Sequence, residues 1–318
     1  MDPTGIHVMV FTVCVLVAGA SGADLTPKPV PRMQAVPQPY HQVSFQREGR
    51  EVARYHFGPG LDRPFIFPLL GPSGRALTRM GHPHDPEGHG HHNSVWVAHH
   101  DVNGSNFWAN GTGARIVHQR IERLDDGAEA ATVVSHNDWV NTQAGKPLLR
   151  ERRITTVHAL PNGELLIVVD IELSAAGADV TLGKTPFGLF AVRMAKSIGV
   201  HDGAGALRNS EGGVNEKGVF WKRAKWMDYS GAVADGVIEG IALLDHPSNP
   251  NHPTIFHVRD DGWMGAALTQ DAPRTIKHGE PLRLRYGLWA HAGLPDPKSV
   301  DARWESFARL PAPPPSKR

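Results

Sequence analysis

The chain has 318 residues, 40% of them apolar and 20% charged, with a formal net charge of +1 and one cysteine. Those values describe a globular chain with one large core or two modest ones, and exclude a disordered or fibrous protein. The near-zero charge and the absence of any polybasic run give no reason to expect a nucleic-acid partner.

The first segment is apolar from Val8 to Ala18 and is followed by small residues, with Ser21 and Ala23 at the spacing of an export cleavage site. Residues 1–23 are therefore expected to be a signal peptide, making the protein exported, either periplasmic or extracellular. Cys14 lies inside that segment, so the mature chain would hold no disulfide and no thiolate chemistry. No later stretch approaches the roughly twenty apolar residues of a membrane span. Residues 24–39 are proline-rich and read as an extended tether, and 311–318 as a disordered tail. Between them, 40–310 shows no fixed repeat or flexible linker and is expected to be a single β-sandwich domain.

Within that domain the periodicity is that of strands separated by turn residues. PFIFPLL-GPSG-RALTR suggests one hairpin, RIVHQRIERL-DDG-AEAATVVSH a second and RERRITTVHAL-PNG-ELLIVVDIEL a third. No capped run of helical period stands out. An all-β fold follows: a large antiparallel two-sheet sandwich or a barrel of roughly fifteen short strands.

Three polar blocks interrupt this pattern. The first, GHPHDPEGHGHHNSVWVAHHDVNGSNFW, places seven of the 19 histidines between His82 and His100. His82 and His84 read as surface residues of a flexible loop. His89, His91, His92 and His99 form the candidate metal set, because imidazole is the commonest metal ligand and also changes charge near neutral pH. HHNSVW enters a strand, where rigid backbone can fix geometry, which singles out His91 and His92. Asp101 and Asn103 can accept from a histidine or bind a sugar hydroxyl, or simply form an Asx turn before Gly104.

The second block, SEGGVNEKGVFWKRAKWMDYSG, mixes carboxylates, amides and aromatics: Glu211, Asn215, Trp221 and Asp228. Flat rings beside polar groups suit a pyranose, whose faces are apolar and whose rim hydrogen-bonds; sheet packing with surface ion pairs is the alternative. In the third, DHPSNPNHPTIFHVRDDGW, prolines 247, 250 and 253 stiffen a loop that can carry His246 and Asn249 into a cleft ahead of Trp263, while His257 can face either core or site. No dinucleotide fingerprint, Walker loop, HExxH or GxSxG occurs, so no nucleotide cofactor is expected.

HHNSVWVAHHDVNGSNFW, TPFGLFAVRMAKSI and the second and third blocks together resemble the bacterial family named "methane oxygenase PmoA", over about Tyr40 to Gly293. Gly88, Gly90 and His100 depart from that family's usual Asp, Pro and Gly. The oxygenase label belongs to a multi-span membrane protein, and this sequence has no such span. The hairpins from Trp139 through RERRITTV, followed by FGLFAVR, are similar to the galactose mutarotase-like supersandwich of carbohydrate-active proteins.

That resemblance implies a small-molecule sugar or oligosaccharide held in a cleft. His91 or His92 would be general acid or metal ligand, and Glu211 or Asp228 the base. Arg193, His246 and Asn249 would orient substrate, and Trp96, Trp221 and Trp263 would stack on it. Hydrolysis, elimination and epimerisation all use such pairs, with or without a divalent metal ion. A non-catalytic sugar-binding protein and a histidine-ligated metal oxidoreductase are the alternatives.

Overall fold

Alternation of apolar and polar residues builds two antiparallel sheets whose inner faces share one core. The computed structural model describes residues 29–81, 88–143 and 145–314. His82 and His84, the signal peptide, and residues 24–28 and 315–318 of the expected tether and tail lie outside them. Residues 31–318 group as a single compact unit.

The nine-stranded sheet runs, in spatial order, β1 (Met33–Gln38), β2 (Gln42–Arg47), β3 (Arg50–His56), β4 (Phe65–Leu69), β5 (Val95–His99), β11 (Gly188–Arg193), β17 (Trp263–Ala267), β16 (Thr254–Arg259) and β13 (Arg223–Ala224). The eight-stranded sheet runs β12 (Ala206–Asn209), β14 (Trp226–Ala234), β15 (Val237–Asp245), β19 (Leu282–Ala292), β9 (Leu165–Ala175), β8 (Lys146–Ala159), β7 (Ala130–Asn141) and β6 (Ala114–Asp125). A short ribbon pairs β10 (Val180–Leu182) with β18 (Arg274–Ile276).

This is the two-sheet antiparallel sandwich that the strand periodicity implies. Two of the three hairpins form as read: β6 with β7, and β8 with β9 around the Pro161–Gly163 turn. The other closes only as an isolated bridge between Leu70 and Ala76. Residues 33–38 are a correction to the tether: they pair with β2 along their whole length and bury Met33 and Ala35, so the prolines there sit on an edge strand. The tail is corrected too, since Arg285 donates to the carbonyls of Leu310 and Pro311. A helix also forms where none was expected. α3 (Pro297–Ala308) starts at Asp296, whose carboxylate accepts the N–H groups of Lys298 and Ser299.

The period of two decides where function can sit. Phe190, Val192, Val258 and Met264 point into the shared core, so their neighbours Ala191, Arg193, His257, Arg259 and Trp263 emerge on the outer face of the nine-stranded sheet. The outer face of the eight-stranded sheet is capped by α3 instead, where Val300 and Phe307 pack on Trp226, Leu244 and Trp289.

Candidate active site

A cleft of about 1020 Å³ opens on the outer face of the nine-stranded sheet, over β5, β11, β17 and β16. Its floor is aromatic. Trp96, Trp108 and Trp263 stand 5.4 to 5.5 Å apart, ring centre to ring centre, and His92 stacks on Trp96 at 5.2 Å and on Trp263 at 5.1 Å. Small residues make room for them. The Trp263 indole lies over Gly265, where a Cβ would come within 2.8 Å of the ring.

The histidine loop is held by glycine and by one buried arginine. A Cβ on Gly81 would fall 2.0 Å from the carbonyl oxygen of His89, so only glycine allows the two chain segments to approach this closely. Arg63, 1% exposed, donates from Nη1 to the His91 carbonyl at 3.1 Å, from Nη2 to that of Ala109 at 3.1 Å and from Nε to that of Phe107 at 3.3 Å. It thereby fixes the His91 and Trp108 loops to each other, and burial lowers its pKa to about 10.

Burial keeps the imidazoles of this face neutral. It lowers His91 to about 4, helped by the Arg63 charge, and His257 to about 4, helped by Arg259. His92 is depressed further by the same cause and by its neighbour His91. Among the described residues, His92 Nδ1, His257 Nδ1 and Trp96 Nε1 are buried without a hydrogen-bond partner. At the cleft wall, Arg193 donates from Nη1 to Asp261 Oδ1 at 2.8 Å and from Nη2 to His89 Nδ1 at 3.2 Å. Asp261 Oδ2 lies 3.5 Å from the same His89 nitrogen. Burial works against the Asp261 charge, but the bond and charge of Arg193 hold its pKa below the usual carboxylate value.

His89, His91, His92, Trp96, Arg193 and Trp263 are thus brought together as expected candidates. The others lie elsewhere. Asp228 is fully buried on the outer face of the eight-stranded sheet, bonded to Arg208, Ser230 and His291, so it cannot serve as base in this cleft. Glu211 is exposed in a turn and accepts only from Ser210. Asp101 closes an Asx turn onto the Gly104 N–H, Asn103 accepts from the Thr181 N–H and Asn215 from that of Leu207. His246 is held by Ser248 and by the Ala308 carbonyl beside α3. Asn249 is consumed by Asp245 and the backbone of Arg285. Trp221 is 48% exposed outside the cleft proper.

The expected metal set does not fit. His99 uses both nitrogens, Nδ1 accepting from the Asp101 N–H at 3.1 Å and Nε2 donating to Thr269 at 2.8 Å. The rings of His89 and His92 are stacked at 4.7 Å and only 8° from parallel, so their in-plane lone pairs cannot converge on one ion. Among the described residues, no group of three or more His, Cys, Asp or Glu side chains is placed to hold a metal ion.

Sequence reasoning missed Asp261, Trp108 and Arg63. Asp260 and Asp261 precede Gly262 and read as turn residues, although the Trp two places on gave a signal. Among the described residues, no helix is long and apolar enough to cross a membrane.

No match was found among curated proteins. Solved structures similar in part include a heparan sulfate lyase HepC mutant from Pedobacter heparinus, at TM-score 0.43 and 8% identity, covering 85% of this chain and 38% of that one. A 4-alpha-glucanotransferase from Thermococcus litoralis aligns at TM-score 0.33 and 8% identity, covering 83% and 40%. The chain therefore spans well under half the length of either protein. Across residues 42–305 it matches the family of unknown function DUF6807, and the chain belongs to that family.

Proposed function

We propose that the cleft binds a carbohydrate and that His89, oriented by Asp261 and Arg193, transfers a proton on it. One observation carries this reading: a floor of flat tryptophan and histidine rings with buried polar atoms left unpartnered beside it. A pyranose face packs on such rings, and its hydroxyls supply the missing partners for His92 Nδ1, His257 Nδ1 and Trp96 Nε1. Neutral imidazoles suit that task, since each offers one donor and one acceptor.

His91 and His92, depressed by burial, are poor general acids at neutral pH and belong to binding. His89 differs because Nδ1 has a partner in either protonation state. The neutral ring accepts from Arg193 Nη2, and the protonated ring faces the Asp261 carboxylate. The apolar segment before Ser21 and Ala23 supports export, which would place this chemistry outside the cytoplasm.

The test is a glycan array followed by calorimetry and product analysis on wild type and His89→Gln. The expected result is that both bind the same glycan, while the variant loses roughly 10²–10⁴-fold in turnover. Binding without turnover in the wild type would establish a non-catalytic sugar-binding protein, as would unchanged turnover in a variant that binds. Absence of any bound glycan would remove the carbohydrate reading itself.

A further inference from the structure

The main cleft does not end at its wall. Asp260 is shared with a second, shallower depression of about 510 Å³ that is also lined by Glu216, Lys217, Phe220 and Lys222. The two are joined by a line of rings in three successive steps: Trp263 to His257 at 5.7 Å, His257 to Phe220 at 5.6 Å and Phe220 to Trp221 at 4.8 Å, the last pair within 20° of parallel. At the outer end, Trp221 has one face on Phe220 and 48% of its surface exposed.

An exposed tryptophan is a poor choice for a surface unless something covers it. Here the backbone also takes an unfavourable conformation to present it. Trp221 has φ 56°, in the left-handed region that bulky residues rarely occupy. The Trp221 N–H donates to the Phe256 carbonyl at 3.0 Å, and the Phe256 N–H to that of Lys222 at 3.0 Å, so the sheet edge holds it there. The seam beneath is equally fixed. Glu216 accepts the Asp260 N–H at 2.8 Å and pairs with Arg259 at 3.3 Å, while the Arg259 guanidinium lies over the Phe220 ring. The depression is thus a rigid, ring-edged continuation of the cleft, with ammonium and carboxylate groups along its rim.

We infer that Phe220 and Trp221 form an outer subsite and that the ligand is an oligosaccharide, with one residue in the main cleft and a further sugar ring stacked on the open face of Trp221. The inference rests on the carbohydrate reading of the cleft and specifies its ligand. Lys217, Lys222 and Asp260 hydrogen-bond the hydroxyls between the two stacked rings. A chain longer than a single pyranose gains contacts at each ring step, so affinity rises with chain length.

The test compares wild type, Trp221→Ala, Trp221→Phe and His92→Ala on an array of mono-, di-, tri- and longer oligosaccharides, both neutral and uronic-acid-containing. Calorimetry on the best series follows. The expected result is affinity that rises with length in the wild type. Trp221→Ala should lose roughly three- to tenfold on the longer chains and nothing on the monosaccharide, and Trp221→Phe should restore most of it. His92→Ala should weaken every length alike. Equal affinity of wild type and Trp221→Ala at all lengths would overturn the outer subsite while leaving the main cleft intact. No binding of any glycan by the wild type would overturn both.

Discussion

The two outer faces of the sandwich treat the same residue types in opposite ways. Over the eight-stranded sheet, the indole N–H of Trp226 donates to Asp301, that of Trp289 to Glu164 and that of Trp304 to the Asp245 carbonyl. The histidines there face carboxylates, His252 against Asp245 at 2.7 Å and His291 against Asp228 at 2.9 Å. Over the nine-stranded sheet, Trp96 Nε1, His92 Nδ1 and His257 Nδ1 have no such partners among the described residues. Folding alone therefore accounts for the first set of polar groups and leaves the second set open. Buried polar atoms without partners cost stability, and a fold retains them where a ligand completes them.

The largest expected effect breaks the saturated face. Replacing Asp228 by Ala strands Arg208 and His291 on a buried surface and should cost about 3–5 kcal/mol, read as a lowered denaturant midpoint. Glycan binding by the fraction that remains folded should be unchanged, because Asp228 touches nothing in the cleft. Loss of binding at unchanged stability would mean that the two faces are not independent.

A second expected effect is titration of the cleft-bearing sheet. His91, His99 and His257 are each lowered from 6.5 to about 4, with burial the leading cause. The unfolded chain binds these protons first as pH falls, so stability is complete above pH 6.5 and declines towards pH 4. For His99, the most enclosed of the three, the loss should approach roughly 3 kcal/mol. Urea midpoints at pH 7 and pH 4.5 measure it. A midpoint independent of pH across that window would contradict the buried neutral imidazoles.

How much of this was legible in the sequence depends on what a period of two can say. Alternation marks the parity of each residue, so the hairpins of β6 with β7 and β8 with β9 could be read directly. Parity does not reveal which sheet a strand joins. Asp228 alternates with the inward Met227 and Tyr229 just as Arg193 alternates with Val192 and Met194, yet the first emerges under Arg208 and the second in the cleft. The aromatic and histidine candidates on β5, β11 and β17 were found because these strands are neighbours, which depends on pairings distant in sequence. α3 carried its signals openly, Asp296 and Pro297 at the start and Val300, Trp304 and Phe307 along one side, but few apolar positions stood out among its charges.

The smallest expected effect separates a structural histidine from a ligand on the cleft-bearing sheet itself. Because His99 Nδ1 accepts the Asp101 N–H, the ring proton must sit on Nε2, where it donates to Thr269; the Thr269 hydroxyl in turn donates to the Thr185 carbonyl at 3.5 Å. Thr269→Val keeps the side-chain shape but leaves the buried Nε2–H without an acceptor, and should cost about 1–3 kcal/mol. Neither glycan affinity nor metal content of the purified protein should change, since His99 points away from the cleft floor and has no lone pair to spare. Bound metal that disappears in Thr269→Val would show that the Nε2 position serves an ion, and would return His99 to the metal set from which its two hydrogen bonds exclude it.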